Sequence, residues 1–332
     1  MTIKEEHMIE KILTISIAAY NVEKYIETTL KSLICKHMDK IEVIIENDGS
    51  TDRTAQLSQS FVEKYPETFI LVNKANGGYG STINKSLEIA KGKYFKQLDG
   101  DDWYQNENLD SFVELLEKID TECVYTPYFE VYEGPDRVEL CGLDEHLEGE
   151  LDIDDVIEHG RFLQMHGLTF KTEFLRNINL RIEEHCFYTD QEFIFYPLMK
   201  TKRVYVSKLP IYMYRLGLEG QSVSMEGYLK HCDEHGKIVL NLLSKLSEID
   251  KCSEKTKKRL YSHLQILIRI HYDINMYAGN RKKELIEFNN ILKNKYPDIH
   301  NIFYKNNGKI FQILILTDFK LYNLAVWYKK RK

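Results

Sequence analysis

At 332 residues and 43% apolar content, the chain is long enough to bury one large core, or one large core and a smaller one. A formal charge of −6 and an isoelectric point near 6.0 exclude a general nucleic-acid binder, which needs a basic surface for phosphate contacts. The first residues lack the apolar core of a secretory signal, no run has the length of a membrane span, and six dispersed cysteines without a CxxC pair fit reduced thiols, so a cytoplasmic protein is expected.

Residues 12–19 (ILTISIAA) form a short apolar run ending at Tyr20-Asn21, as a strand buried on both faces reads. Ile26, Leu30, Leu33 and Ile34 follow at helical spacing, and a β-branched strand occupies 41–45. It stops at Glu46-Asn47-Asp48-Gly49-Ser50-Thr51-Asp52, a turn cluster with capping residues. Leu57, Phe61, Val62 and Tyr65 make the next helical stripe, closed by Pro66, before a third strand at 69–72. A glycine-rich loop, Asn76-Gly77-Gly78-Tyr79-Gly80-Ser81, opens a helix whose buried face is Ile83, Leu87 and Ala90. The stretch 93–103, KYFKQLDGDDW, reads as a strand that breaks off at Asp99, Asp101 and Asp102 around Gly100. Leu109, Phe112, Val113 and Leu116 mark another helix, and 124–132 and 137–141 read as strands. From about Tyr228 the pattern is helical, through Leu240, Leu243 and Leu246, then 260–277 and 285–292.

Strands alternating with helices predict right-handed βαβ units and a parallel sheet, so the expected architecture is an α/β domain over 1–225 and a smaller helical region over 226–332. Ligands of such sheets bind outside the carboxyl ends of the strands, where the acidic turns at Asp48 and at 99–102 both lie. Crowded carboxylates repel one another unless a cation sits among them, and Mg2+ or Mn2+ takes such oxygen ligands together with substrate phosphates. Asp48 offers an acceptor to an imide N–H such as uracil's, while a cation at Asp101 would hold a diphosphate. Taken singly, either turn also reads as an ordinary solvated loop or helix cap.

Spacing tests the rivals. A calcium loop counted from Asp99 needs Gly at position six and Glu at twelve, but Tyr104 and Asp110 stand there. A haloacid-dehalogenase phosphatase has an unbroken apolar strand before its DxD, whereas Lys96-Gln97 interrupt this one and Trp103 follows. Ile83 replaces the third glycine of a dinucleotide fingerprint, and no GKS or GKT is present. His231-Cys232-Asp233-Glu234-His235 matches H-x-x-E-H, but on a charged helix it reads as a solvated face.

The ordered set of motifs resembles a family 2 glycosyltransferase of the GT-A fold over roughly 12–225. It comprises Tyr20-Asn21, NDGSTD at 47–52, Asn76-Gly77-Gly78 leading to Asn84, LDGDDW at 98–103, Thr189-Asp190-Gln191-Glu192-Phe193, Tyr212-x-Tyr214-Arg215 and Ser222-x-Ser224. The resemblance implies a Rossmann-like, mainly parallel sheet with helices on both faces, followed by a helical C-terminal region. It implies inverting transfer of a sugar from a nucleotide diphosphate, UDP above all, to a saccharide hydroxyl, with Mg2+ or Mn2+ as cofactor. Ala19, Tyr20, Asp48, Asn76, Gly78, Asp99, Gly100 and Arg215 would bind the donor, Asp48 reading the base, Asp99 lying near ribose or diphosphate and Arg215 offsetting leaving-group charge. Asp101 would ligate the cation and Asp190 would be the catalytic base.

The chain departs from the family pattern at Ala18-Ala19, at Asn47 for the usual first Asp, and at Thr189 for the usual Glu, which leaves the base to Asp190 with Glu192 as fallback. Thr82-Ile83 stand where an Arg is common, so one diphosphate contact is either absent or supplied by Lys74 or Lys85. The acceptor is expected between the sheet edge and 162–193, with His166 and Glu192 as candidates; a core or loop role for His166 is equally open. The segment 310–332 interleaves Phe311, Ile313, Leu314, Ile315, Leu316, Phe319, Leu321, Leu324 and Trp327 with Lys329-Lys330-Arg331-Lys332. It reads either as a membrane-surface segment, favouring a lipid-linked glycan acceptor and surface-polysaccharide assembly on the inner face of the membrane, or as a packed helix with a basic end. A sugar nucleotidyltransferase and a non-catalytic nucleotide-sugar-binding protein are the alternatives.

Overall fold

The computed structural model describes residues 10–134, 137–159, 164–218 and 220–331, which divide into two units, Met1–Leu218 and Glu219–Lys332. In the first, β1 (Leu13–Ala19), β2 (Ile41–Asp48), β3 (Phe69–Lys74) and β4 (Tyr94–Asp99) lie parallel in the order β3-β2-β1-β4. The helices between them are α1 (Ile26–Lys31), α2 (Thr54–Lys64) and α3 (Tyr79–Ile89). After β4 the chain forms β5 (Trp103–Tyr104), α4 (Asn106–Lys118), β6 (Cys123–Tyr125), β7 (Tyr128–Tyr132), β8 (Arg137–Cys141), β9 (Gly149–Asp152) and α5 (Ile153–His159). It continues with β10 (Leu168–Lys171), α6 (Thr172–Asn177), α7 (Asp190–Leu198), β11 (Arg203–Val206) and β12 (Tyr212–Leu216).

The large sheet runs β3-β2-β1-β4-β10-β6-β11-β9, with only β10 and β9 opposed to the other six, so it is mainly parallel. A second sheet, β5-β12-β7-β8, stands on the chain leaving β4. Residues 124–132, expected as one strand, are two: Pro127 has no N–H to give a ladder, and β6 and β7 on either side of it join different sheets.

The register sorts the side chains into two cores. Ile15, Ile17, Val43, Ile45, Tyr94 and Leu98 pack under Ile26 and Leu30 of α1, Phe61 of α2 and Leu109 and Phe112 of α4. Each such aliphatic side chain contributes roughly 1.5–3 kcal/mol by leaving water. On the opposite face Phe95 and Phe170 join Ile83 and Leu87 of α3 and Phe193 of α7. Beneath α3 that face is polar: Thr14, Ser16, Glu42, Glu46 and Gln97 are all buried. Because β1, β2 and β4 are parallel, Ala19, Asp48 and Asp99 end on one edge of the sheet.

The second unit consists of α8 (Met225–Lys230), α9 (Cys232–Leu243), α10 (Leu246–Ile249), α11 (Glu254–Ala278), α12 (Lys282–Lys295), α13 (Pro297–Asn306), α14 (Lys309–Leu316) and α15 (Tyr322–Lys329). α11 starts where Ser253 Oγ accepts the Thr256 N–H at 3.1 Å and ends at Gly279 in the left-handed region, φ +78°. No helix among the described residues is long and apolar enough to cross a membrane. The solvated face expected for His231-Cys232-Asp233-Glu234-His235 is not what forms. His235 lies on the buried stripe Cys232, His235, Gly236, Val239, and its ring stacks 5.5 Å from that of His271 in α11.

Candidate active site

At the end of β2 the Asp48 carboxylate is buried and holds the glycine loop. Its Oδ1 accepts the Gly77 N–H at 2.8 Å and pairs with Lys74, and its Oδ2 accepts the Gly78 N–H at 2.9 Å. Asn76 Nδ2 donates to the Asp48 carbonyl at 3.0 Å, and Lys74 Nζ also reaches Ser81 Oγ at 2.5 Å. Gly78 has φ +78°, and a Cβ there would lie 3.1–3.2 Å from the backbone of His185 and Cys186. Only glycine lets the loop before α7 come this close. Ala19 is buried at the end of β1 and Tyr20 beyond it is 52% exposed. The Tyr20-Asn21 turn is tied to the NDGSTD segment, Asn21 Oδ1 accepting the Thr51 N–H at 2.9 Å.

At the end of β4, Gly100 passes so close to β1 that a Cβ would meet the Ala18 carbonyl at 2.8 Å. The three carboxylates around it then part ways. Asp99 Oδ1 accepts the Tyr79 hydroxyl at 2.6 Å, and the Asp99 N–H donates to Tyr212 Oη at 3.1 Å. Asp102 is buried, its Oδ2 accepting the Tyr212 hydroxyl at 2.7 Å and its Oδ1 the Arg215 N–H at 2.7 Å. It is the clamp between the acidic turn and β12. Asp101 is only partly enclosed, and its carboxylate takes no hydrogen bond from another residue among those described.

Arg215 is fixed by its surroundings. From β12 its Nε donates to the Asp101 carbonyl at 2.8 Å, it pairs with Glu133, and its guanidinium lies 4.6 Å from the Trp103 ring and 5.0 Å from that of Tyr25. Such a stacked guanidinium is a fixed positive charge beside the turn.

Asp190 is the first residue of α7, half-buried, with its Oδ2 accepting Gln191 Nε2 at 2.9 Å. Tyr188, two residues earlier, has φ +63°, a costly conformation for an aromatic residue and one that concentrates near functional groups. Glu192 points the other way into the interior, its Oε2 accepting the Glu183 N–H at 2.7 Å and its Oε1 the Tyr196 hydroxyl at 3.0 Å. It therefore ties down the preceding loop, and of the two acids Asp190 is the one whose charge acts on Asp99. His166, in a 3-10 turn Met165–Gly167, stacks 3.9 Å from Tyr214. Its Nδ1 is enclosed without a hydrogen-bond partner among the described residues. The acceptor segment expected at 162–193 begins outside the described residues, at Phe162 and Leu163.

These acids share one electrostatic environment. Burial raises Asp99 to about 7, with the charges of Asp101 and Asp190 adding and the Tyr79 hydrogen bond opposing. Burial also raises Asp102 well above the ordinary range, reinforced by Asp101 and Asp99. Asp101 is raised by burial against its own amide and Arg215, and Asp190 by burial against Gln191. His166 falls to about 3 through burial and the charge of Lys96, so its imidazole is neutral. Ligand atoms of Asp99, Asp102 and His166 lie within 4.8 Å of one another, with Asp101, the ligand expected from sequence, flanking this group. The carboxylate oxygens suit a divalent cation of the Mg2+ or Mn2+ kind, and the neutral imidazole nitrogen is a ligand of the kind transition metals take.

Of the residues expected from the sequence, Ala19, Asp48 and Asp99 end on one edge of the sheet, while Tyr79, Tyr212 and Glu133 were not expected there as partners of the acidic turn and Arg215. Tyr79 sat unremarked inside the glycine loop, and the tyrosine–arginine pattern at 212–215 was the available signal for Tyr212.

A sequence profile described as Glycosyl transferase family 2 matches residues 14–186. A putative glycosyltransferase, EpsH of Bacillus subtilis, is 38% identical over 93 residues, 28% of this chain and 27% of that protein. A hyaluronan synthase of Pasteurella multocida is 35% identical over 116 residues, 35% of this chain and 12% of that protein. The chain thus aligns with about a quarter of EpsH and a smaller share of the synthase. Among solved structures, S. aureus TarS 1-349 in complex with UDP-GlcNAc superposes with a TM-score of 0.63 at 18% identity, covering 97% of this chain and 92% of that one. The mannosyltransferase PcManGT of Pyrobaculum calidifontis, in complex with GDP-Man and Mn2+, does so at 0.54 and 16% identity, covering 97% and 87%. These two likenesses establish the fold, a GT-A sheet with a helical region after it. Since the matched profile takes in more than half of the chain, including every strand end that carries Asp48, Asp99 and Asp101, the protein belongs to glycosyl transferase family 2.

Proposed function

We propose that the protein transfers a sugar from a nucleotide diphosphate, with UDP as the nucleotide, to a saccharide hydroxyl with inversion at the anomeric carbon. The observation that carries this reading is the clustering of Asp99, Asp101 and Asp102 after β4 beside Arg215, with the charge of Asp190 acting on Asp99. Asp48 Oδ2 accepts one internal hydrogen bond and keeps a lone pair for the uracil imide N–H. Asn76 and Gly78 shape the loop beside it, while Ala19, Tyr20 and Gly100 form the opposing wall at the end of β1. Asp101 would hold a divalent cation at the edge of the group Asp99, Asp102 and His166, whose ligand atoms lie within 4.8 Å of one another. When bound, that cation supplies Lewis-acid stabilisation of the departing diphosphate.

Asp190 is the base in this reading. Its carboxylate takes the proton from the acceptor hydroxyl as the hydroxyl oxygen bonds to the anomeric carbon and the bond from that carbon to the donor phosphate breaks. A raised pKa makes the ionised carboxylate a stronger base for that proton. Arg215, held by the Asp101 carbonyl and two aromatic rings, offsets charge on the leaving nucleoside diphosphate. The acceptor we assign is a growing glycan carried on a lipid, in assembly of a surface polysaccharide. In a test with purified chain, UDP-sugars and Mn2+, Asp190→Asn keeps UDP affinity within about twofold and loses on the order of 10²–10⁴-fold in turnover. Retained turnover would remove Asp190 from the base role, and release of pyrophosphate from UTP and a sugar phosphate would replace the reaction altogether.

A further inference from the structure

Within the second unit, α14 and α15 cover one side of their apolar surface and leave the other open. Phe311, Leu314, Phe319, Tyr322 and Ala325 are buried, whereas Leu316 is 70%, Leu324 59%, Trp327 51% and Ile313 46% exposed, with Leu321 and Tyr328 beside them. Exposed apolar side chains are ordinary one at a time, but these six fall within residues 313–328. On α15, Leu324, Trp327 and Tyr328 stand at i, i+3 and i+4, so they share one helix face.

The charge around this patch departs from the rest of the chain. Residues 309–331 carry Lys309, Lys320, Lys329, Lys330 and Arg331 against Asp318 alone, five minus one, or +4 in a chain of formal charge −6. Lys329 is engaged by Asp273 at 2.6 Å, and Arg331 lies 4.0 Å from the Trp327 ring, while Lys309, Lys320 and Lys330 are exposed. A two-fold contact between copies would set this patch against itself, positive on positive. An anionic lipid surface complements both the charge and the apolar side chains, and Trp and Tyr sit well at headgroup depth.

We infer that the exposed face of α14 and α15 docks on an anionic membrane, with Leu316, Leu324 and Trp327 among the headgroups and Lys320, Lys330 and Arg331 on lipid phosphates. The inference stands apart from the catalytic reading and is measured without turnover. The full chain is sedimented with vesicles of phosphatidylcholine alone and with vesicles containing phosphatidylglycerol. It binds the anionic vesicles, and Lys320→Glu/Lys330→Glu weakens binding at least about tenfold, since each basic residue near such a surface is worth about fivefold. Leu316→Asp/Leu324→Asp abolishes binding, and a vesicle-induced blue shift in fluorescence disappears in Trp327→Phe. No sedimentation with anionic vesicles, or sedimentation that both double variants leave unchanged, overturns the inference. Absence of vesicle binding together with a dimer that Leu316→Asp/Leu324→Asp dissociates would assign the face to self-association instead.

Discussion

Glu46, two residues before Asp48 in β2, is fully buried, with its Oε1 accepting the Ser86 hydroxyl at 3.0 Å and its Oε2 without a partner among the described residues. Burial raises its pKa from 4.5 to about 7, the Ser86 hydrogen bond and the charges of Lys74 and Lys85 opposing. The folded state therefore binds a proton that the unfolded state has released between these values. Its contribution to stability is complete below 4.5 and is lost as pH rises through about 7. At 1.36 kcal/mol per unit, the loss amounts to about 3 kcal/mol at alkaline pH. Glu46→Gln keeps the shape and cannot ionise, so it removes this loss. In urea unfolding followed by circular dichroism, the variant should match the wild type to within about 1 kcal/mol near pH 4.5, where only the Ser86 hydrogen bond is altered. It should exceed the wild type by about 2–3 kcal/mol at pH 8. A difference between the two proteins that stays constant from pH 4.5 to 8 would refute the reasoning, because Glu46 would then have the same proton affinity folded and unfolded.

Two structural predictions concern the supports of the crevice. Asp102→Ala leaves the Tyr212 hydroxyl and the Arg215 N–H without their shared acceptor and should destabilise the chain by about 2–5 kcal/mol, read as a lowered midpoint of unfolding. An unchanged midpoint would mean that Asp102 clamps nothing. Gly78→Ala places a Cβ on a left-handed residue against His185 and Cys186, and should cost about 1–3 kcal/mol while loosening the loop ahead of α7. Hydrogen exchange at residues 183–188 should accelerate, and wild-type protection there would contradict the packing account.

The first half of the first unit was legible because parallel strands buried on both faces read as unbroken apolar runs, as at 12–19 and 41–45. The second sheet was far less so. β5 is two residues long and β8 is largely exposed; in the far half of the large sheet, β9 alternates between half-buried and exposed positions and the antiparallel insertion of β10 between β4 and β6 depends on contacts distant in sequence. At the site, the acidic turns announced themselves by residue type, but the division of work among Asp99, Asp101 and Asp102 did not. Adjacent carboxylates look alike in a sequence, and only the approach of β12 buries Asp102 while leaving Asp101 partly exposed. His235 was misjudged for a similar reason: charged neighbours masked the apolar stripe on which it lies.

The central claim is a metal-dependent nucleotide site at the turn following β4. Calorimetric titration of UDP into the purified chain, with and without Mn2+, addresses it most directly, using wild type and Asp101→Asn in parallel. The account predicts affinity that Mn2+ raises at least about tenfold in the wild type and fails to raise in the variant, corresponding to about 1.4 kcal/mol or more. Affinity indifferent to Mn2+ in the wild type, or a Mn2+ effect undiminished in Asp101→Asn, would contradict it.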